Sequence, residues 1–140
     1  LFSTSAGKET DGRRLGATDV VLVRDAESLA PFASSQDFVL CTVDAALDWA
    51  AYLNVLRPEG VLCLAGIPES LSVPAMPLVF GRKTITSNLL GNRSEFIDML
   101  DLADRHGIKP VVQTLPMAQI NTALERLRNN QQRYRIVPEN

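Results

Sequence analysis

Phe38-Val39-Leu40-Cys41-Thr42-Val43 and, further on, Val61-Leu62-Cys63-Leu64-Ala65-Gly66 decide how this chain folds. Each is an uninterrupted apolar run of strand length, the pattern of a strand covered on both faces of a parallel sheet. Between them Leu47, Ala50, Ala51, Asn54 and Val55 recur at spacings of three and four, which predicts a helix. Asp44 is placed to cap that helix and Arg57-Pro58-Glu59-Gly60 to end it. A strand, a helix and a second strand in that order call for a crossover connection, so the two strands should run parallel.

The same alternation extends both ways. Upstream, residues 19–23 read as a buried strand, residues 9–15 as a short surface helix stopped by Gly16, and residues 26–33 as one or two helical turns limited by Pro31. Downstream, residues 71–83 carry two prolines among large apolar residues and are expected to be neither a regular helix nor a central strand. Residues 84–90 open on β-branched side chains. The best-marked helix follows, with Asn92 or Ser94 as its cap, Phe96, Ile97, Met99, Leu100 and Ala103 on one face, and Gly107 as its stop. A strand over 111–115, a helix over 117–128 and a last strand over 133–137 complete the order. The expectation is an α/β, doubly wound parallel sheet, and in such sheets ligands lie beyond the carboxyl ends of the strands.

The totals exclude several classes. With 140 residues, 46% of them hydrophobic, one domain with a real core is expected, and a net charge of −2 with mixed signs leaves no basic face for nucleic acid or an anionic membrane. No apolar run approaches the roughly 20 residues of a membrane span, so a cytoplasmic protein is expected. Cys41 and Cys63 sit inside strand-like runs and, with His106 the single histidine, form no zinc motif; both are expected to be buried thiols. His106 suits the carboxyl end of its helix. No Ser-His-Asp set, carboxylate pair or Walker-type loop is present.

At the strand ends, Phe2-Ser3-Thr4-Ser5-Ala6-Gly7-Lys8 joins an apolar lead to three hydroxyls and a lysine, with no carboxylate between Phe2 and Lys8. That is the order expected at the end of the second strand of a dinucleotide-binding Rossmann fold when the loop holds a phosphorylated ribose, because an acid there would repel the phosphate. A solvated turn accounts for the same composition. Thr42-Val43 and Gly66-Ile67 end two further strands, where glycine permits close approach of a flat ring and open strand-end amides and carbonyls could bond a carboxamide. Arg133 and Arg135 alternate with Tyr134 and Ile136, so one arginine could reach an anion or both could face solvent.

Taken together, the segments FSTSAGKE (2–9), RRLGATDVV (13–21), LRPEGVLCLAGIPE (56–69), VPAMPLVFGRKTI (73–85), GNRSEFIDMLDLADRHGIKP (91–110) and RYRIV (133–137) resemble zinc-dependent medium-chain alcohol dehydrogenases of the cinnamyl alcohol dehydrogenase type. The resemblance runs from Phe2 to Val137. It implies a Rossmann-like fold for residues 1–140 that lacks the first strand and the glycine-rich loop, with 131–140 a terminal strand returning towards a catalytic domain. It implies NADP as cofactor, with Ser3, Thr4, Ser5 and Lys8 on the 2′-phosphate, and Thr42 and Val43 beside the riboses. Ala65, Gly66 and Ile67 would receive the nicotinamide, Ser87, Asn88 and Leu89 its carboxamide, and Arg133 would approach the pyrophosphate. Residues 71–80 and the following strand would join two subunits in a homodimer. Catalytic zinc, its ligands and the pocket for a small aldehyde or alcohol would belong to a preceding part of the parent protein, and no residue here is catalytic or metal-binding. Asn92 departs from the glycine frequent in relatives. A zinc-free quinone or enoyl reductase, or a non-catalytic nucleotide-sensing or dimerisation module, are the alternatives.

Absence of a first strand has a physical consequence. In the strand order 3-2-1-4-5-6 that strand bridges the two halves, and its loss leaves about 10 Å between neighbours that would otherwise pair through it.

Overall fold

The computed structural model describes residues 1–88, 90–129 and 134–140. It forms two compact units, Leu1–Leu90 and Gly91–Asn140.

In the first unit, β3 (Gln36–Cys41), β4 (Leu56–Leu64) and β5 (Thr84–Ser87) form a parallel sheet in the order β3-β4-β5. Pairings Cys41↔Leu64 and Leu64↔Ser87 put the three carboxyl ends in one row. Helix α2 (Trp49–Val55) covers one face. Trp49, Leu53, Leu56, Leu62 and Cys41 form the core, with Val39, Leu78 and Ile85 packed against it. Burial of this apolar surface is the main term holding the unit together. The cap of α2 is Asp48, whose carboxylate accepts from Ala51 N at 3.0 Å, and not Asp44. The helix begins where Trp49, 5% exposed, can reach the sheet, and the chain needs the intervening residues to turn from the end of β3.

Residues 57–60 do not end the helix as a separate turn. They belong to β4, which slips in register between Gln36↔Leu56 and Phe38↔Val61 to absorb them. Arg57 bonds Asp37 at 2.9 Å, and the left-handed Glu59 (φ 66°) pairs with Arg82 across this irregular edge. Within 71–83, α3 (Ala75–Phe80) is a regular if short helix. Pro74 precedes it and Pro77 falls in its first turn, where no backbone donor is needed. Lys83 then donates to Leu53 O at 2.6 Å, satisfying a carbonyl in the last turn of α2, and partial burial lowers its ammonium pKa.

Also in this unit, β1 (Phe2–Ser3) and β2 (Val21–Leu22) form a separate parallel pair. Between them run a 3₁₀ turn, Ala6–Lys8, and α1 (Glu9–Arg14), closed by Gly16 at φ 98°. A 3₁₀ helix, Ala26–Phe32, follows with Pro31 inside it. Among the described residues no strand pairs β1 with β3, so the β1–β2 pair and the three-stranded sheet are hydrogen-bonded separately. Side chains link them instead: the Phe2 ring meets Phe32 and Tyr52 edge-on, with centroids 5.6 and 6.2 Å away. Burial pushes the Tyr52 phenol above its usual 10.0.

In the second unit, α4 (Arg93–Arg105) starts at a full capping box, Asn92 with Glu95, and stops before Gly107 at φ 62°. β6 (Val112–Pro116) and β7 (Arg135–Glu139) pair in parallel, and α5 (Ile120–Arg128) connects them. Phe96, Ile97, Met99 and Leu100 share the helical face but are exposed, and among the described residues of this unit only Ala123 is buried. His106 caps the end of α4.

The architecture is the parallel, Rossmann-like α/β arrangement expected, with strand and helix limits shifted by a few residues. Cys41 is buried, whereas Cys63, on the opposite face of the sheet, is only half-buried.

Candidate cofactor site

Parallel register brings the chemistry-bearing residues to one edge. Beyond the row Cys41, Leu64, Ser87 lie Thr42-Val43, Ala65-Gly66-Ile67 and Asn88. Strand β3 stops at Cys41, so Thr42 and Val43 belong to the loop and not to the strand end. Ala65 N and Gly66 N both donate to Cys41 O, at 2.8 and 3.0 Å, and Asn88 N donates to Leu64 O at 3.2 Å. These amides, expected to be open to a ligand, are therefore in use.

Gly66 is required by contact and not by its dihedral angles. A Cβ there would collide with the Val43 carbonyl oxygen and lie 2.6 Å from its carbon and 2.9 Å from Val43 N. Two backbones thus meet face to face. Next to this crossing is an open hollow of about 300 Å³, lined by Leu64, Ala65, Gly66, Ile67, Pro68, Leu71, Ser87 and Asn88. Its walls are mostly apolar, and its polar groups are the Ser87 hydroxyl, the Asn88 amide and backbone carbonyls. Among the described residues neither of those two side chains has a hydrogen-bond partner. That donor set suits a flat heteroaromatic ring carrying a carboxamide.

The amino-terminal segment occupies the corresponding edge of the β1–β2 pair. Val23 N donates to Ser3 O at 2.8 Å, after which the chain leaves β1 through Thr4 and Ser5. Ser3 Oγ accepts from Ser5 N at 3.2 Å, so that hydroxyl shapes the turn. Thr4, Ser5 and Lys8 are exposed, and the Lys8 ammonium makes no ion pair among the described residues. The nearest acid in sequence, Glu9, bonds Arg13 at 3.3 Å. Two hydroxyls and one uncommitted ammonium, with no competing carboxylate, fit a phosphate ester.

Leu89 and Arg133 lie outside the described residues. Among the described residues no group of three or more His, Cys, Asp or Glu side chains could hold a metal ion, so zinc has no ligand set there. Asp44, Asp48 and Trp49 carried the missed signal: two acids four residues apart could each cap the helix, and only packing of the indole selects the second.

Comparison with known proteins agrees with the fold. The family of zinc-binding dehydrogenases matches over residues 15–137. The chain is 36% identical over 139 residues to vomilenine reductase of Rauvolfia serpentina and 38% identical over 138 residues to NADP-dependent alcohol dehydrogenase C 1 of Mycolicibacterium smegmatis. Both matches cover 98% of this chain but only 39% and 40% of the relatives. A cinnamyl alcohol dehydrogenase structure from Sorghum bicolor superposes with a TM-score of 0.86 at 32% identity, over 98% of this chain and 39% of that one. A parallel α/β cofactor-binding part of the alcohol dehydrogenase type is thus defined. The chain belongs to the zinc-binding dehydrogenase family.

Proposed function

We propose that residues 1–140 are a partial NADP-binding Rossmann domain of a zinc-assisted, NADP(H)-dependent alcohol dehydrogenase interconverting primary alcohols and aldehydes. Residues 131–140, including β7, are read as the terminal strand that turns back towards a catalytic domain. The observation carrying this reading is the loop after β1: Ser3, Thr4, Ser5 and a Lys8 with no ion pair among the described residues, at a carboxyl edge with no acid from Phe2 to Lys8. The name of the Mycolicibacterium relative supports NADP over NAD.

When bound, NADPH supplies a hydride. The part of this chain is to hold and orient it. Ser3, Thr4, Ser5 and Lys8 take the 2′-phosphate, with the Ser3 hydroxyl also shaping their turn. Thr42 and Val43 lie along the riboses; Leu89 and Arg133, outside the described residues, remain assigned to the carboxamide and the pyrophosphate by resemblance alone. The hollow at Ala65, Gly66 and Ile67 receives the nicotinamide, with Ser87 and Asn88 on its carboxamide, and the Gly66–Val43 crossing keeps its floor low. No residue of the chain is assigned a catalytic role. Zinc and the small aldehyde or alcohol would be held by parts present in the longer relatives, in a cytoplasmic setting. Met76, Val79 and Phe80 of α3 are exposed apolar side chains beside β5, which supports a homodimer formed through that segment.

Lys8→Glu in the full-length protein tests the reading. It removes a charge-assisted bond and adds repulsion, so NADPH affinity should fall at least about tenfold while NADH affinity does not fall. An unchanged NADPH/NADH ratio would refute it.

A further inference from the structure

We infer that Arg24 is a second cation for the cofactor's 2′-phosphate, acting with Lys8 from the adjoining strand; this rests on the reading of the β1 loop just given. A phosphate monoester carries up to two negative charges near neutral pH, with a second pKa near 6, and Lys8 supplies only one positive charge. The register Ser3↔Leu22 runs β1 and β2 out at the same edge. Two residues past each partner lie Ser5 and Arg24, at neighbouring exits.

Other cations nearby are committed. Arg13 bonds Glu9 and Thr18 O, both at 3.3 Å, and Arg14 bonds Asp11 at 3.4 Å. The Arg24 guanidinium is exposed and makes no hydrogen bond or ion pair among the described residues. Its backbone is held, since Arg24 N donates to Ser28 Oγ at 3.2 Å. The adjacent acid, Asp25, feels the Arg24 charge but forms no ion pair with it: its carboxylate accepts from Ser28 N at 2.9 Å and Ser28 Oγ at 2.7 Å as the cap of Ala26–Phe32. A fixed backbone with a spare planar fork of donors is suited to bidentate contact with phosphate oxygens, which a lysine cannot reproduce.

The test measures dissociation constants of NADPH and NADH, by calorimetry on the full-length protein, for Arg24→Ala, Arg24→Lys and Lys8→Ala. Arg24→Ala should weaken NADPH about tenfold and leave NADH within about twofold, with Arg24→Lys in between. Equal weakening of both cofactors would mean that Arg24 stacks on adenine, and would overturn the inference. So would no change in Arg24→Ala alongside a selective loss in Lys8→Ala, an outcome that leaves the β1-loop reading standing. If neither variant alters the NADPH/NADH ratio, that reading fails together with the inference.

Discussion

Replacing Gly66 by alanine adds one methyl group at the tightest backbone crossing of the candidate site. The new Cβ would overlap the Val43 carbonyl and lie 2.6 Å from its carbon, with backbone and not a flexible side chain as the obstacle. Two responses are open to the chain. The loop after β4 could lift away, giving up the bonds from Ala65 N and Gly66 N to Cys41 O, each worth about 0.5–1.5 kcal/mol. Otherwise it stays in place and absorbs an overpacking cost of about 1–3 kcal/mol. Either route predicts a loss of about 1–3 kcal/mol. Urea unfolding of the full-length protein should show a lower midpoint with an unchanged slope. Gly7→Ala is the matched control, because a Cβ there meets nothing within 4 Å. NADPH affinity should fall with the first substitution, since the hollow beside Gly66 shares the displaced backbone. A Gly66→Ala protein with the parental midpoint would show that the crossing is not tight in solution.

Three further outcomes are expected. Asp48→Ala and Asn92→Ala, which remove the caps of α2 and α4, should each cost about 1 kcal/mol in the same unfolding assay, whereas Asp44→Ala should cost close to nothing. The Asp25 carboxyl should titrate below 3.8, because the Ser28 hydroxyl and then its amide favour the carboxylate. This bond therefore supports folding above pH 3.8 and is lost as pH falls through the lower folded-state value, and in Ser28→Ala an NMR titration should find the midpoint moved back up. Phe80→Asp should convert the proposed dimer to monomer in sedimentation without lowering stability, since Phe80 is 77% exposed in the single chain. A dimer that persists would place the interface elsewhere.

Where structure followed from neighbouring residues, it could be read directly. The capping box of Asn92 and Glu95 and the left-handed turns at Gly16 and Gly107 are local events, decided by one side chain or one missing Cβ. Alternation of apolar runs with helical spacing likewise leads to parallel strands. Local chemistry gave no way to choose Asp48 over Asp44, or to see that residues 57–60 would be absorbed into a slipped strand. Both depend on where Trp49, Leu53 and Leu56 must sit to fill one core. The prolines of residues 71–83 argue against a helix along the sequence, and the place of Pro77 within the first turn is apparent only once the helix start at Ala75 is known.

By itself, then, the order of residues determined the fold class, the strand ends at which a ligand would lie, and the acid-free hydroxyl and lysine loop after β1, because each depends on period, spacing or charge along the chain. Only tertiary structure decided that Ala65, Gly66, Ser87 and Asn88 share one hollow, that the strand-end amides are already spent on Cys41 O and Leu64 O, and that Ser3 pairs with Leu22, so that Ser5 and Arg24 each follow two residues past a pairing partner. The reason is register: a shift of one residue between parallel strands would turn every side chain to the other face and separate these groups, and pairing partners more than 18 residues apart are set by packing and not by their immediate neighbours.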